Sequence, residues 1–367
     1  MIILFNLHLK FNKLTQGTFS CQTTMARRGV MSVKLNQDQE YFTSATEDGV
    51  GIFHMDPLVQ TFYIDGSKIG SVRCAEMRFR SNIVALISGG NRPLYDDRTV
   101  ILWDMLKEKA VTKIVVKEPV LDVKMATDRL VVILRSKVIL LAFPTGETLA
   151  EITTRDNPNA VCALSHISRK LIIPSKKGRG CIQIEDLDKD DAAPQSKPPL
   201  ILQAHANDII CLAINPTGEF IATASTQGTN IHLYNTVTKE LKKLRRGVDK
   251  ANIYCLNFSK DTSYLSCSSD KGTVHVWSLK DLDMNPVSTL KPLVGLPNEI
   301  KSYASFTVTA ECACLCSFGP GDAIYAVCLD GSFHKYKIGR DGSQTDTGRN
   351  CFRVSYDVYP NLGELYD

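Results

Sequence analysis

Ile209–Asn215 (IICLAIN), Glu219–Ala224 (EFIATA) and Thr229–Asn235 (TNIHLYN) are three short runs of alternating apolar residues, with Pro216-Thr217-Gly218 between the first two. Period-two alternation gives each run one face for a core, as a half-buried strand requires. Pro and Gly preset the backbone of the turn between them. The same unit follows at once as Ile253–Ser259 (IYCLNFS), Tyr264–Ser268 (YLSCS) and Thr273–Leu279 (TVHVWSL), with Lys260-Asp261-Thr262 and Asp270-Lys271-Gly272 as its turns. Fainter copies lie on either side. Upstream they are Val30–Leu35, Tyr41–Ala45, Val50–Met55; Val72–Phe79, Ile83–Ser88, Thr99–Asp104; Val120–Met125, Arg129–Leu134, Lys137–Phe143; and Ala160–Ser165, Lys170–Pro174, Gly180–Leu187. Downstream, Cys312–Phe318, Ala323–Cys328 and Ser332–Ile338 form the seventh. Units recurring roughly every 40–60 residues, with no long amphipathic helix among them, predict an all-β chain folded as a seven-bladed β-propeller.

The expected boundaries are an extension over residues 1–28, the propeller over 29–340 and a C-terminal tail over 341–367. Met1–Leu9 is apolar but shorter than the roughly 20 residues of a membrane span, and Met25 offers an alternative start. Three segments exceed an ordinary turn. Gly89–Arg98 lengthens a hairpin, Asp186–Pro199 is charged and Pro-rich, and Lys280–Lys301 follows a strong strand.

Composition is that of a folded globular chain, with 44% hydrophobic and 22% charged residues among 367. A net charge of +4 sets up no global field, so any basic function has to be local. The twelve cysteines include no Cys-x-x-Cys pair, which excludes the usual zinc spacings and leaves core packing and a reducing compartment as the expectation. No metal and no cofactor are expected. No nucleophile elbow, phosphate-binding loop or His-Glu-x-x-His motif is present, so an enzyme is not expected.

The densest basic run is Lys239–Gly247 (KELKKLRRG), between the fifth and sixth units. On an extended segment adjacent side chains point to opposite sides, so Arg245 and Arg246 would serve two separate flanks. Guanidinium is planar, permanently charged and bidentate, which suits phosphate. One flank offers His205, Ser225, Thr226 and Thr229; the other offers Ser268, Ser269, Lys271, Thr273 and His275. Hydroxyls and histidines around a guanidinium can hold a phosphorylated sugar-like headgroup. A nucleic-acid binder would need stacking aromatics beside the run, and there are none.

Leu244-Arg245-Arg246-Gly247, Ala251–Phe258 (ANIYCLNF) and Ser268–Val276 (SSDKGTVHV) resemble the PROPPIN family, the WD-repeat proteins interacting with phosphoinositides. Leu35–Gln39, Asp56-Pro57-Leu58, the segment from Gly89-Gly90 to Ile101–Asp104, and Asp330–Tyr336 extend the likeness over Val30 to Ile338. Leu before the arginines points to the branch of the third and fourth animal paralogues. The signature Trp-Asp survives only at Trp103-Asp104. The resemblance implies binding of phosphatidylinositol 3-phosphate and phosphatidylinositol 3,5-bisphosphate at two sites. His205, Ser225, Thr229 and Arg245 would form the first; Arg246, Ser268, Ser269, Lys271, Thr273 and His275 the second. It also implies a membrane-inserting loop at 280–301, where Leu290, Lys291, Leu293, Val294 and Leu296 would meet the bilayer. The early blades, with Asn36 and Asp38 in the matching turn, would bind the autophagic lipid-transfer protein. The chain would then act as a monomer in autophagosome formation, cytoplasmic and recruited to preautophagosomal and endosomal membranes.

Overall fold

Each alternating run becomes a strand, and each unit gains a fourth strand on its solvent side. The computed structural model describes residues 2–3, 30–187, 198–280, 285, 299–339 and 350–359. The first blade is Val30–Leu35, Tyr41–Thr46, Gly49–Met55 and Leu58–Asp65; the second is Gly70–Met77, Ile83–Pro93, Thr99–Asp104 and Lys109–Val115. The third is Asp122–Met125, Arg129–Ile133, Lys137–Ala142 and Thr148–Thr153; the fourth is Ala163–Leu164, Lys170–Pro174, Cys181–Asp186 and Leu200–Gln203. The fifth is Ile209–Ile214, Phe220–Ser225, Asn230–Asn235 and Leu241–Arg245. The sixth is Ile253–Phe258, Tyr264–Ser269, Thr273–Ser278 and Ala304–Thr307, and the seventh is Cys314–Phe318, Ala323–Cys328, Ser332–Ile338 and Cys351–Val358. Every blade is an antiparallel meander, so the chain is a seven-bladed β-propeller. Ile2–Ile3 adds a short antiparallel pairing to Ala163–Leu164.

The outer strands explain why three strands per unit, not four, are legible in the sequence. Lys109–Val115 alternates half-buried with exposed positions, and Cys351–Val358 (CFRVSYDV) buries only its first residue fully. Such strands keep one face in water and mix charged residues among their apolar ones, so they lack the dense apolar signature of the inner strands. The expected end of the propeller at residue 340 is therefore corrected. Cys351–Val358 pairs along Ser332–Ile338, and Tyr359 just beyond it is 1% exposed.

All four strands of the first and seventh blades come from their own ends of the described chain, so no exchanged strand ties the ring shut. Side chains fasten the seam instead. Gln39 Nε2 donates to Phe258 O (2.9 Å), and its Oε1 accepts from Asn257 Nδ2 (2.8 Å) and Phe318 N (3.2 Å). The Tyr359 ring sits edge-on to Phe42 at 4.8 Å. No disulfide joins the described cysteines, and all of them but Cys312 are buried. Among the described residues no helix is long and apolar enough to cross a membrane.

Near the axis, the inner strands of the first three blades bring buried charges together. Lys34 Nζ pairs with Asp122 and Glu76 (3.3 Å to the latter) and donates to Val123 O at 2.9 Å. Burial alone would push the Lys34 ammonium down, but Asp122, Cys74 and Glu76 around it hold it well above its ordinary value.

Candidate functional site

The basic run ends in the outer strand of the fifth blade, Leu241–Arg245, which pairs antiparallel with Asn230–Asn235. Its other edge is also covered. Glu299–Lys301, where the chain returns after the sixth blade's third strand, pairs with Lys243–Arg245 in parallel. Period two then sorts the side chains. Leu244 turns into the core with no exposure, while Lys243 and Arg245 share the opposite face. On that face Thr223, His232, Lys243 and Glu299 are successive cross-strand partners. Asn230, Arg245 and Lys301 form the neighbouring row.

The strand stops at Arg245, and the chain turns as Arg246 N and Gly247 N both donate to Thr229 O (2.9 and 3.2 Å). Arg246 is 7% exposed, its Nε donating to Gly228 O at 2.7 Å and its Nη2 to Asp249 O. Gly228 is needed for this. At φ +63°, an added Cβ would lie 2.0 Å from Ala251 O, so no other residue presents that carbonyl without moving the linker. The Arg246 charge reaches the sixth blade, where it depresses the His275 pKa. Arg245 pairs instead with Glu299, whose other oxygen accepts from Asn230 Nδ2 at 3.1 Å. The adjacent guanidiniums thus have different surroundings, Arg245 beside the returning Glu299–Lys301 strand and Arg246 in the turn between Gly228 and Asp249.

His205 precedes the fifth blade, packed on its histidine row. Its Nε2 lies 2.9 Å from Thr223 Oγ1, and its ring stacks on His232 at 4.0 Å. His232 Nδ1 meets Ala204 O at 2.7 Å. Burial first, then the charges of His232 and Lys243, push the His205 pKa down to about 4. Burial and then Arg246 push His275 down to about 4, with Nδ1 at 3.1 Å from Ser302 Oγ. Both rings are neutral at physiological pH and offer hydrogen bonds, not charge. Because the folded pKa lies below the ordinary 6.5, protons favour the unfolded chain. The stability these rings allow is complete above about pH 6.5 and is lost as pH falls through about 4. NMR titration is expected to show both rings still neutral at pH 5.5; an inflection near 6.5 would contradict their burial.

The remaining expected residues divide. Ser225 is buried, Thr229 is half-buried in the turn that receives Arg246, and Lys271 is exposed. Thr273 and His275 share a face of the sixth blade, and Ser269 Oγ accepts from Lys271 N at 3.4 Å. Ser268 is a correction. Alternation turns it to the other face, where Oγ donates to Cys314 O of the seventh blade at 2.6 Å. Asn36 is a second correction, being 1% exposed. Its Oδ1 accepts from Glu40 N and Tyr41 N, and its Nδ2 donates to Phe79 O, so its side chain builds the turn and presents nothing to a partner. Asp38 does reach the surface, paired with Arg80 at 2.8 Å. Leu290, Lys291, Leu293, Val294 and Leu296 lie outside the described residues.

Four residues of the site escape a reading of the sequence: Asn230, His232, Lys243 as a member of the Arg245 face, and Glu299. His232 and Asn230 alternate with core residues in Thr229–Asn235, so the strand pattern held their signal. Glu299 had none, because an ion pair across 54 residues of sequence leaves no local mark.

The family model described as PROPPIN matches residues 30–290. SVP1-like protein 2 of Pichia angusta is 34% identical over 263 residues, covering 71% of this chain and 73% of that protein. Autophagy-related protein 18e of Arabidopsis thaliana is 29% identical over 327 residues, covering 86% and 85%. The solved structure titled Kluyveromyces lactis Hsv2 complete loop 6CD superposes with a TM-score of 0.74 at 20% identity, covering 90% of this chain and 99% of that one. The propeller of the sequence reading and the paired-arginine likeness therefore meet in one assignment: this chain belongs to the PROPPIN family.

Proposed function

We propose that the chain is a peripheral membrane effector in autophagy that binds phosphatidylinositol 3-phosphate and phosphatidylinositol 3,5-bisphosphate through two headgroup sites. The observation that supports this is that the adjacent guanidiniums have separate surroundings: Arg245 lies on the fifth-blade face with Asn230 and Glu299, and Arg246 lies in the turn at Gly228 and Asp249, where its charge also acts on His275 of the sixth blade. Arg245 with His205, Ser225 and Thr229 makes the first site, joined by Lys243 and His232. Arg246 with Ser269, Lys271, Thr273 and His275 makes the second. Two headgroups plus apolar contacts from the 280–301 segment act as one multivalent grip, and their separate modest affinities multiply.

The same reading places the chain on preautophagosomal and endosomal membranes, with the lipid-transfer partner on the early blades. Supporting that surface, the exposed Gly89–Arg98 hairpin is braced on the first blade by Arg92–Asp48 (2.7 Å) and Asn91 N–Glu47 (2.9 Å). Flotation with a panel of phosphoinositides tests the function. Co-flotation is expected with liposomes bearing the 3-phosphate or 3,5-bisphosphate lipid. Equal recovery with liposomes lacking any phosphoinositide would show a protein scaffold or a nonspecific membrane binder instead.

A further inference from the structure

Arg245 already holds an anion. The Glu299 carboxylate occupies its Nη1, and Asn230 fixes the other oxygen at 3.1 Å. The main chain holds the carboxylate there. Glu299–Lys301 is locked to Lys243–Arg245 by the parallel pairing, and Trp277, itself fully buried, donates to Ile300 O at 3.2 Å. The pair is partly open to water, with 19% and 27% of the two side chains exposed, so an incoming ligand can reach it. Among the described residues its cross-strand neighbours on this face are cations and neutral groups: Lys243, Lys301, His232 and Asn230.

We propose that Glu299 is a specificity-determining residue of the Arg245 site, rejecting singly charged headgroups and admitting phosphomonoesters. The inference rests on the reading that Arg245 binds a headgroup phosphate. A headgroup of net charge −1, such as phosphatidylserine, gains nothing by replacing a tethered carboxylate of the same charge at high effective concentration. A phosphomonoester carries about −1.5 to −2 charges and three acceptor oxygens. It can displace the carboxylate and still reach Lys243 or Asn230 with a second oxygen. Discrimination built from a repulsive group against the abundant competitor is an established route to specificity. If Glu299 served only to orient Arg245, removing its charge would weaken binding, so the two roles predict opposite signs.

The test is Glu299→Gln, which keeps an acceptor for Asn230, with Glu299→Ala as a second variant. Both are floated against vesicles of phosphatidylcholine alone, with phosphatidylserine, and with phosphatidylinositol 3-phosphate. The variants are expected to gain binding to phosphatidylserine vesicles that the native chain ignores. Their affinity for the phosphoinositide vesicles rises about three- to fivefold, the scale of losing a partly exposed competing ion pair. Adding Arg245→Thr should erase both gains. Native-like flotation of both variants, or weaker phosphoinositide binding, overturns the role of Glu299 while leaving the site itself intact. A native protein that ignores phosphoinositide vesicles overturns the site reading, and the role of Glu299 with it.

Discussion

Changing Arg245 and Arg246 together to threonine is expected to abolish flotation with phosphatidylinositol 3-phosphate liposomes, and each single change to weaken it about 10- to 150-fold. That range follows from about 1.5–3 kcal/mol for hydrogen bonds to a charged partner, at 1.4 kcal/mol per factor of ten. The double change exceeds either single one because the two sites share a membrane, and losing both removes the multivalent gain as well. The single variants differ in a second respect. Arg246 donates to Gly228 O and Asp249 O, so Arg246→Thr removes both bonds, one of them to the buried Gly228, and lowers the melting temperature. Among the described residues the Arg245 side chain bonds a partly exposed carboxylate, so Arg245→Thr leaves the melt close to native. Binding lost by Arg245→Thr with an unchanged melt isolates recognition from folding.

Lys34→Met is expected to cost about 3–5 kcal/mol of stability, read as a lower urea midpoint, because breaking a buried ion pair strands its partners. Asp122 and Glu76 are both nearly inaccessible; Lys34 bonds Asp122 Oδ1, and among the described residues Oδ2 has no hydrogen-bond partner. Burial already raises the Glu76 pKa, opposed by Lys34 and Lys124, so removing Lys34 drives its carboxyl further toward the neutral form. Neutralising the acids too, with Glu76→Gln and Asp122→Asn, should recover part of the loss. An unchanged midpoint would show that the cluster does not hold the first three blades together.

Much of the fold is legible in the sequence because inner strands bury both faces and announce themselves. Ile253–Phe258 is buried at every position, and its repeat partners share that apolar density. Outer strands such as Leu241–Arg245 are not legible the same way, since one of their faces is wet and their pattern is charge. The arginine pair is legible as a charge run, but the different surroundings of its two members come from the strand ending at Arg245, which leaves Arg246 in the turn at Thr229. Its counter-ion is not legible, because Glu299 reaches Arg245 only after the chain has left the sixth blade and returned. Ser268 and Asn36 show the converse error. Residue type alone made each look available, whereas their hydrogen bonds spend them on a neighbouring blade and a turn. Lys34 carries no mark of its burial in the sequence, because its partners Glu76 and Asp122 come from the second and third blades.

Arg245 and Arg246 are proposed to centre two separate headgroup sites. Titration calorimetry with inositol 1,3-bisphosphate, the soluble headgroup, measures that number without a membrane. Two headgroups per native chain and one for each of Arg245→Thr and Arg246→Thr is the predicted result. One headgroup per native chain, lost equally in either variant, would make the arginines a single patch and contradict the account.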